Sequence, residues 1–232
     1  VLINYGGLIN APGQLSLNNL TRVDNRQGEI SSNQAFLFNA TELDNRSGKL
    51  LSAQLLTLRI AQALDNGAGL LSALRLDAHA GSLGNVAGKL NASHDLNLTV
   101  ESALDNSSGE ILALVAILRA ASLSNQQGRV QGDQTLLLNT TGAVLNTAGS
   151  LSAGNYLGVG AGSLDNRHGS WTSNGGLDAT ITAQLANQSG VVAATGALNL
   201  ALGSLDNQQQ GRITSKANLL VSGGALDNRG GI

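Results

Sequence analysis

Apolar residues along this chain fall at alternate positions in short runs, and the runs return about every 20 residues. Phe36-x-Phe38-x-Ala40, Leu56-x-Leu58-x-Ile60, Leu96-x-Leu98-x-Val100, Leu157-x-Val159-x-Ala161 and Leu198-x-Leu200-x-Leu202 are clear instances. A second apolar point recurs at Ile9, Ile30, Leu50, Leu71, Leu90, Ile111, Val130, Leu151, Trp171, Val192 and Ile213, and a third at residues such as Leu43, Leu64 and Leu104. Alternation over four to six residues marks a half-buried strand. Helical spacing fits poorly, because Gly, Ser and Asn clusters break each candidate helix before two turns. The pattern predicts three short strands per repeat and no helix.

The repeat itself is clearest in Leu104-Asp105-Asn106-Ser107-Ser108-Gly109-Glu110-Ile111. Its Asn recurs at Asn4, Asn25, Asn45, Asn66, Asn85, Asn106, Asn125, Asn146, Asn166, Asn187, Asn207 and Asn228, at spacings of 19 to 21 residues. A Gly follows three residues later at Gly7, Gly28, Gly48, Gly69, Gly88, Gly109, Gly128, Gly149, Gly169, Gly190 and Gly231, and one inserted residue displaces it to Gly211. Fixed-period self-similarity of this length signals a solenoid. The expected fold is all-β: a parallel β-helix in which no coil buries its apolar side without its neighbours. Eleven coils at one strand spacing each make a rod on the order of 50 Å long. Six-residue sub-periods, which a left-handed hexapeptide helix needs, are absent, so a right-handed form is expected, in line with parallel crossovers generally. The drift in repeat length is assigned to the segments between second and third strands, such as Ala61-Gln62-Ala63.

An inward-pointing turn leaves backbone groups that need partners. An Asn amide, with two donors and an acceptor, can bond its own turn and the Asn above and below, forming a ladder. Asp there would stack charge on charge. The Gly is expected to supply positive φ or a close turn. Ser32, Ser52, Ser72, Ser173 and Ser215 are read as small residues facing the core.

Composition narrows the function classes. Aromatics are 2% and charged residues 12%, with 30 Gly and one Pro, while 42% apolar content suffices for a continuous, narrow core. A net charge of −2 with both signs scattered offers no basic patch for nucleic acid and no Lys/Arg-rich amphipathic face for membrane insertion. There is no Cys, hence no disulfide or thiolate metal site. There is no Met either, and the numbering opens and closes inside a repeat. Residues 1–232 are therefore expected to be one β-helix segment of about eleven repeats, cut at both ends from a longer filament. As an isolated fragment it is expected to associate end to end through uncovered strand edges.

Candidate chemistry reduces to three sets. An Asp precedes many of the repeat asparagines, at Asp24, Asp44, Asp65, Asp105, Asp165, Asp206 and Asp227. Stacked carboxylates could hold Ca²⁺, but Gly84, Ser124, Leu145 and Ala186 interrupt the column, and Arg26, Arg46, Arg167 and Arg229 each lie two residues after an Asp. Turn hydrogen bonding with local charge compensation is the preferred reading, and no metal or cofactor is expected. His79, His94 and His168 fall fifteen, eleven and four residues after their repeat-opening residues, so they face different sides. A polysaccharide lyase or hydrolase would need clustered Asp, Arg or Lys with sugar-stacking aromatics. Here Trp171 occupies a core slot, and Tyr5 and Tyr156 are far apart. No catalytic residues are assigned. Outward positions are mostly Asn, Ser, Thr and Gln, with Ala113–Leu118 and Gln208–Gln210 as the irregular exceptions.

The segments Leu43-Asp44-Asn45-Arg46-Ser47-Gly48-Lys49-Leu50, Leu164-Asp165-Asn166-Arg167-His168-Gly169 and Leu226-Asp227-Asn228-Arg229-Gly230-Gly231-Ile232 resemble the haemagglutinin repeats of filamentous haemagglutinin. The same repeats occur in the stalks of contact-dependent growth inhibition effectors. The resemblance spans essentially the whole chain. It implies a right-handed β-helix shaft from a large Gram-negative exoprotein, exported through an outer-membrane two-partner-secretion transporter and displayed at the cell surface. Such a shaft would hold an adhesive or toxin-delivering tip against a receptor on a host or neighbouring bacterial cell. The alternatives are a shaft whose own sides bind a receptor or glycan and, more remotely, a sugar-processing β-helix enzyme.

Overall fold

The computed structural model describes residues 1–232. It is all-β: twenty strands, every pairing parallel, wound into a solenoid of about 20 residues per turn without a helix. Each coil has three sides. In the turn that begins at Asn25 these are Glu29–Ser32, followed by the two halves of Phe36–Asp44. Side chains alternate in and out along each side because successive Cβ atoms point to opposite faces of a strand.

The first side contributes a core column of Ile30, Leu50, Leu71, Leu90, Ile111, Val130, Leu151, Trp171 and Val192, all fully buried. The second side contributes triplets such as Leu56, Leu58 and Ile60, and the third contributes Val23, Leu43, Leu64, Leu83, Leu104 and their successors. Like stacks on like: Leu50 pairs with Leu71, Leu71 with Leu90, and Leu90 with Ile111. Phe36 and Phe38, 5.8 Å apart edge to face, are the bulkiest pair of the second side.

Two expectations change. The drift in coil length is not confined to the second corner. Between Lys49–Asp65 and Leu70–Gly84 the register shifts at both corners, from Ser52 to Leu55 and from Ile60 to Ala63. The shift is reversed at both corners in the next pair. A 19-residue coil thus loses one residue at each corner, whereas the 20-residue coil that contains Phe36–Asp44 differs from the next only at the second. In the central coils the corners bend without breaking the strand, so a single strand such as Lys49–Asp65 runs for 17 residues over three sides. Ala113–Leu118 spans one of these shortened corners and the start of the second side, with Ala113, Ala116 and Leu118 buried. The second change concerns Ser72. It pairs with Leu51 on the outer face, and Ala73 fills the slot that Ser52 takes in the coil before. Ser32, Ser52 and Ser173 are buried as expected.

Candidate functional site

The corner between third and first sides is where the chain differs most from a generic stack of strands. All repeat asparagines from Asn4 to Asn207 are buried there. Each carboxamide Nδ2 donates to the Oδ1 of the Asn one coil on. Asn25 bonds Asn45, Asn85 bonds Asn106, Asn106 bonds Asn125 and Asn187 bonds Asn207, all at 2.7 Å. Asn4 opens the series onto Asn25 at 2.7 Å, and Asn207 closes it onto Asn228 at 2.6 Å. Every link runs in the same direction. The same Nδ2 also reaches back to its own turn and forward to the next coil, as in Asn106 to Gly109 O and to Arg129 O, both 3.2 Å.

The turn around each Asn is a tight one, with Gly109 N–H donating to Asn106 O at 3.0 Å. Its third residue has positive φ, the signature of a type II turn. That residue is not the glycine. Positive φ falls at Gln27, Ser47, Ala68, Ala87, Ser108, Gln127, Ala148, His168 and Ser189, one place earlier, and among the turn glycines of the column none is in that region. The glycine answers a different need. A Cβ on Gly109 would lie 2.7 Å from Asn106 Oδ1 and closer still to the Asn85 carbonyl oxygen below. Close coil-to-coil approach, rather than backbone handedness, excludes a side chain. At the insertion both Gln209 and Gln210 take positive φ, and Asn207 still reaches Gly211 O at 2.9 Å, so the extra residue bulges outward and the ladder continues.

Where an Asp precedes the Asn, it sits at the rim of this corner. Asp105 Oδ1 accepts the Ser107 backbone N–H at 3.0 Å, and Asp65 accepts that of Gly67 at 3.0 Å. Where the residue after the Asn is Arg, its side chain pairs with the Asp in a fork: Arg26 Nε and Nη2 donate to Asp24 at 2.9 and 2.7 Å, and Arg46 repeats this on Asp44. Arg26 also lies 3.6 Å from Asp44, and Arg46 3.4 Å from Asp65, so charges alternate in sign up the first coils. Tyr5 extends this ladder downward, its ring centroid 5.5 Å from the Arg26 guanidinium. The hydrogen bond from Arg26 holds the Asp24 carboxyl down at about 2, outweighing its desolvation. Asp44, Asp165 and Asp227 are lowered for the same reason by Arg46, Arg167 and Arg229. Those carboxylates are therefore occupied.

The histidines do not meet. His79 Nε2 lies 2.9 Å from Glu101 on the second side, His94 is at the first corner, and His168 is in an Asn turn. No three His, Asp or Glu side chains come together in a way that could hold a metal ion. Trp171 is fully buried, and no hydrogen-bond partner faces its Nε1. What reading the chain alone missed is on the second side, at Tyr156. Weighed only by its distance from Tyr5, Tyr156 carried no meaning; the available signal was Gly158 and Gly160, two glycines at consecutive outward positions.

Five overlapping segments, residues 1–68, 37–108, 72–148, 118–184 and 172–230, match the haemagglutinin repeat. The chain belongs to the haemagglutinin repeat family. No curated protein and no solved structure matches it. Family and fold together support the shaft of a large adhesin-type exoprotein, of a kind typically secreted and carried at the cell surface. The repeat family also implies a two-partner-secretion context. No helix is long and apolar enough to cross a membrane.

Proposed function

We propose that residues 1–232 are one stretch of a longer right-handed rod whose work is mechanical: to hold a distal adhesive or toxin-delivering tip away from the surface of a Gram-negative cell. The observation that carries this reading is the unbroken asparagine ladder from Asn4 to Asn228. Buried amide-to-amide bonds tie each coil to the next, and a polar network satisfied along its whole length favours one register over its alternatives. Bending or unstacking would strand buried amides. The carboxylates that might serve catalysis are committed to turn N–H groups and arginines, which favours a spacer over an enzyme. An outer-membrane transporter would then handle the parent protein before this segment folds.

A spacer tolerates the removal of whole coils. Deleting residues 85–124 joins Gly84 to Asn125 in register and shortens the rod by about 10 Å. In the parent exoprotein this deletion should leave surface display and tip function intact, with a tip-borne epitope closer to the cell by electron microscopy. Removing a half coil should abolish display. Loss of adhesion or toxin delivery after the whole-coil deletion, with display intact, would show that these coils contribute more than length.

A further inference from the structure

The second side has one break in its outer relief. Successive coils carry Thr57, Asp77, Asn97, Ile117 and Leu137 at one outward position, and the next carries Gly158. Two residues on, Gly160 follows Arg119 and Asn139. Both glycines line a solvent-open cavity of about 440 Å³, a size typical of small-molecule sites, and Leu137 from the coil below leans over Gly158, its Cδ2 2.9 Å from where a Cβ would sit.

Tyr156, 37% exposed, lines it. A Cβ on Gly158 would come 3.3 Å from the ring's Cε1, and one on Gly176 3.6 Å from Cδ2. The ring therefore lies close over two glycines, where a side chain would crowd it, and is partly open to the cavity. Its hydroxyl donates to Asp178 Oδ2 at 2.9 Å, while Asn199 Nδ2 donates to Asp178 Oδ1 at 2.7 Å. Asp178 is thus gripped from the coil below and the coil above. The Asn139 carboxamide lies over Gly160, its Oδ1 2.8 Å from where a Cβ would sit. No Lys or Arg lines the cavity.

We infer that this notch binds a neutral saccharide, with one pyranose ring laid on Tyr156 and its hydroxyls bonded to Asp178, Asn139 and Asn199. A sugar has an apolar C–H face and a polar rim, and the notch has an aromatic face with acceptors and amides at its edge. Each Asp178 oxygen accepts one protein hydrogen bond and retains capacity for a sugar hydroxyl. An anionic sugar would instead meet the Asp178 charge with no cation beside it. Desolvation, with the bond to Asp178, raises the Tyr156 pKa, so the phenol remains a donor at neutral pH. The site is independent of whatever the shaft carries at its tip.

The test is an NMR titration of the ¹⁵N-labelled 232-residue chain with methyl glucopyranoside, methyl galactopyranoside, methyl glucuronide and tetramethylammonium. A neutral glycoside should shift the Gly158, Gly160 and Gly176 amides saturably. Tyr156→Ala should weaken this roughly tenfold, with the melting point holding the fold as control. Gly160→Val, which fills the notch without touching the ring, should weaken it too, and Tyr156→Trp should retain it. Absence of a saturable shift with either neutral glycoside would overturn the inference. So would equal binding by Tyr156→Ala or Gly160→Val, or a preference for the glucuronide or tetramethylammonium.

Discussion

Asn106 Nδ2 donates to Asn125 Oδ1 at 2.7 Å, 19 residues away in sequence and one strand spacing away in space. Asn106 Oδ1 in turn accepts from Asn85, so each amide is donor to one neighbour and acceptor from the other. The Asp105 side chain, one residue earlier, is at the rim and bonds only within its own turn, to the Ser107 N–H and hydroxyl. Asn106→Leu should therefore destabilise by roughly 1–3 kcal/mol through unsatisfied buried partners, and Asp105→Asn by clearly less. Paired denaturant melts decide it, and equal losses would remove the ladder as the main tie between coils.

The turn glycine and the residue before it should respond in opposite ways. Gly88→Ala places a Cβ 2.6 Å from Asn85 Oδ1 and should cost on the order of 1–3 kcal/mol or more. Ala87 has φ of 51°, and relieving that strain should leave Ala87→Gly neutral or slightly stabilising, within about 1 kcal/mol. If Ala87→Gly proved the more damaging of the two, close coil approach would not be the reason for glycine.

Acid should loosen the rim before the core. Asp24 has its folded pKa depressed from the usual 3.8 to about 2 by the Arg26 hydrogen bond, and Asp44 and Asp165 move in the same direction. Depressed carboxylates contribute stability above their unfolded pKa, and this is lost as pH falls through the folded value. The window is thus about pH 4 down to about pH 2. Arg26→Gln with Arg46→Gln should flatten the fall in melting temperature across it, and added salt should shrink the difference. Parallel curves for variant and parent would mean these forks contribute nothing. EDTA should leave the melting temperature unchanged, and a large fall would show that the Asp column holds a cation.

Trp171 stacks between Leu151 and Val192, with its Nε1 unpartnered. Trp171→Phe loses volume but removes an unsatisfied donor, so its net effect should stay within about 1–2 kcal/mol. Trp171→Ala should cost about 3–5 kcal/mol. Similar losses from both in denaturant titrations would indicate that Nε1 has a partner after all.

The architecture was legible in the sequence because a solenoid is nearly one-dimensional. Each coil meets only its neighbours, so the spacing from Asn85 to Asn106 is also the spacing of their contact, and alternation at Leu96-x-Leu98-x-Val100 is enough to say which face turns inward. What the period could not carry was anything decided between coils. That a side chain at Gly109 is excluded by the Asn85 carbonyl below it, and that positive φ belongs to Ser108, depends on how closely two coils approach, which no single repeat records. The division of the length drift between two corners depends on paired registers, as at Ser52/Leu55 and Ile60/Ala63. The notch at Tyr156 depends on the same thing. Its walls come from Asn139, Asp178 and Asn199 on separate coils, brought together only because parallel stacking turns residues about 20 apart into neighbours.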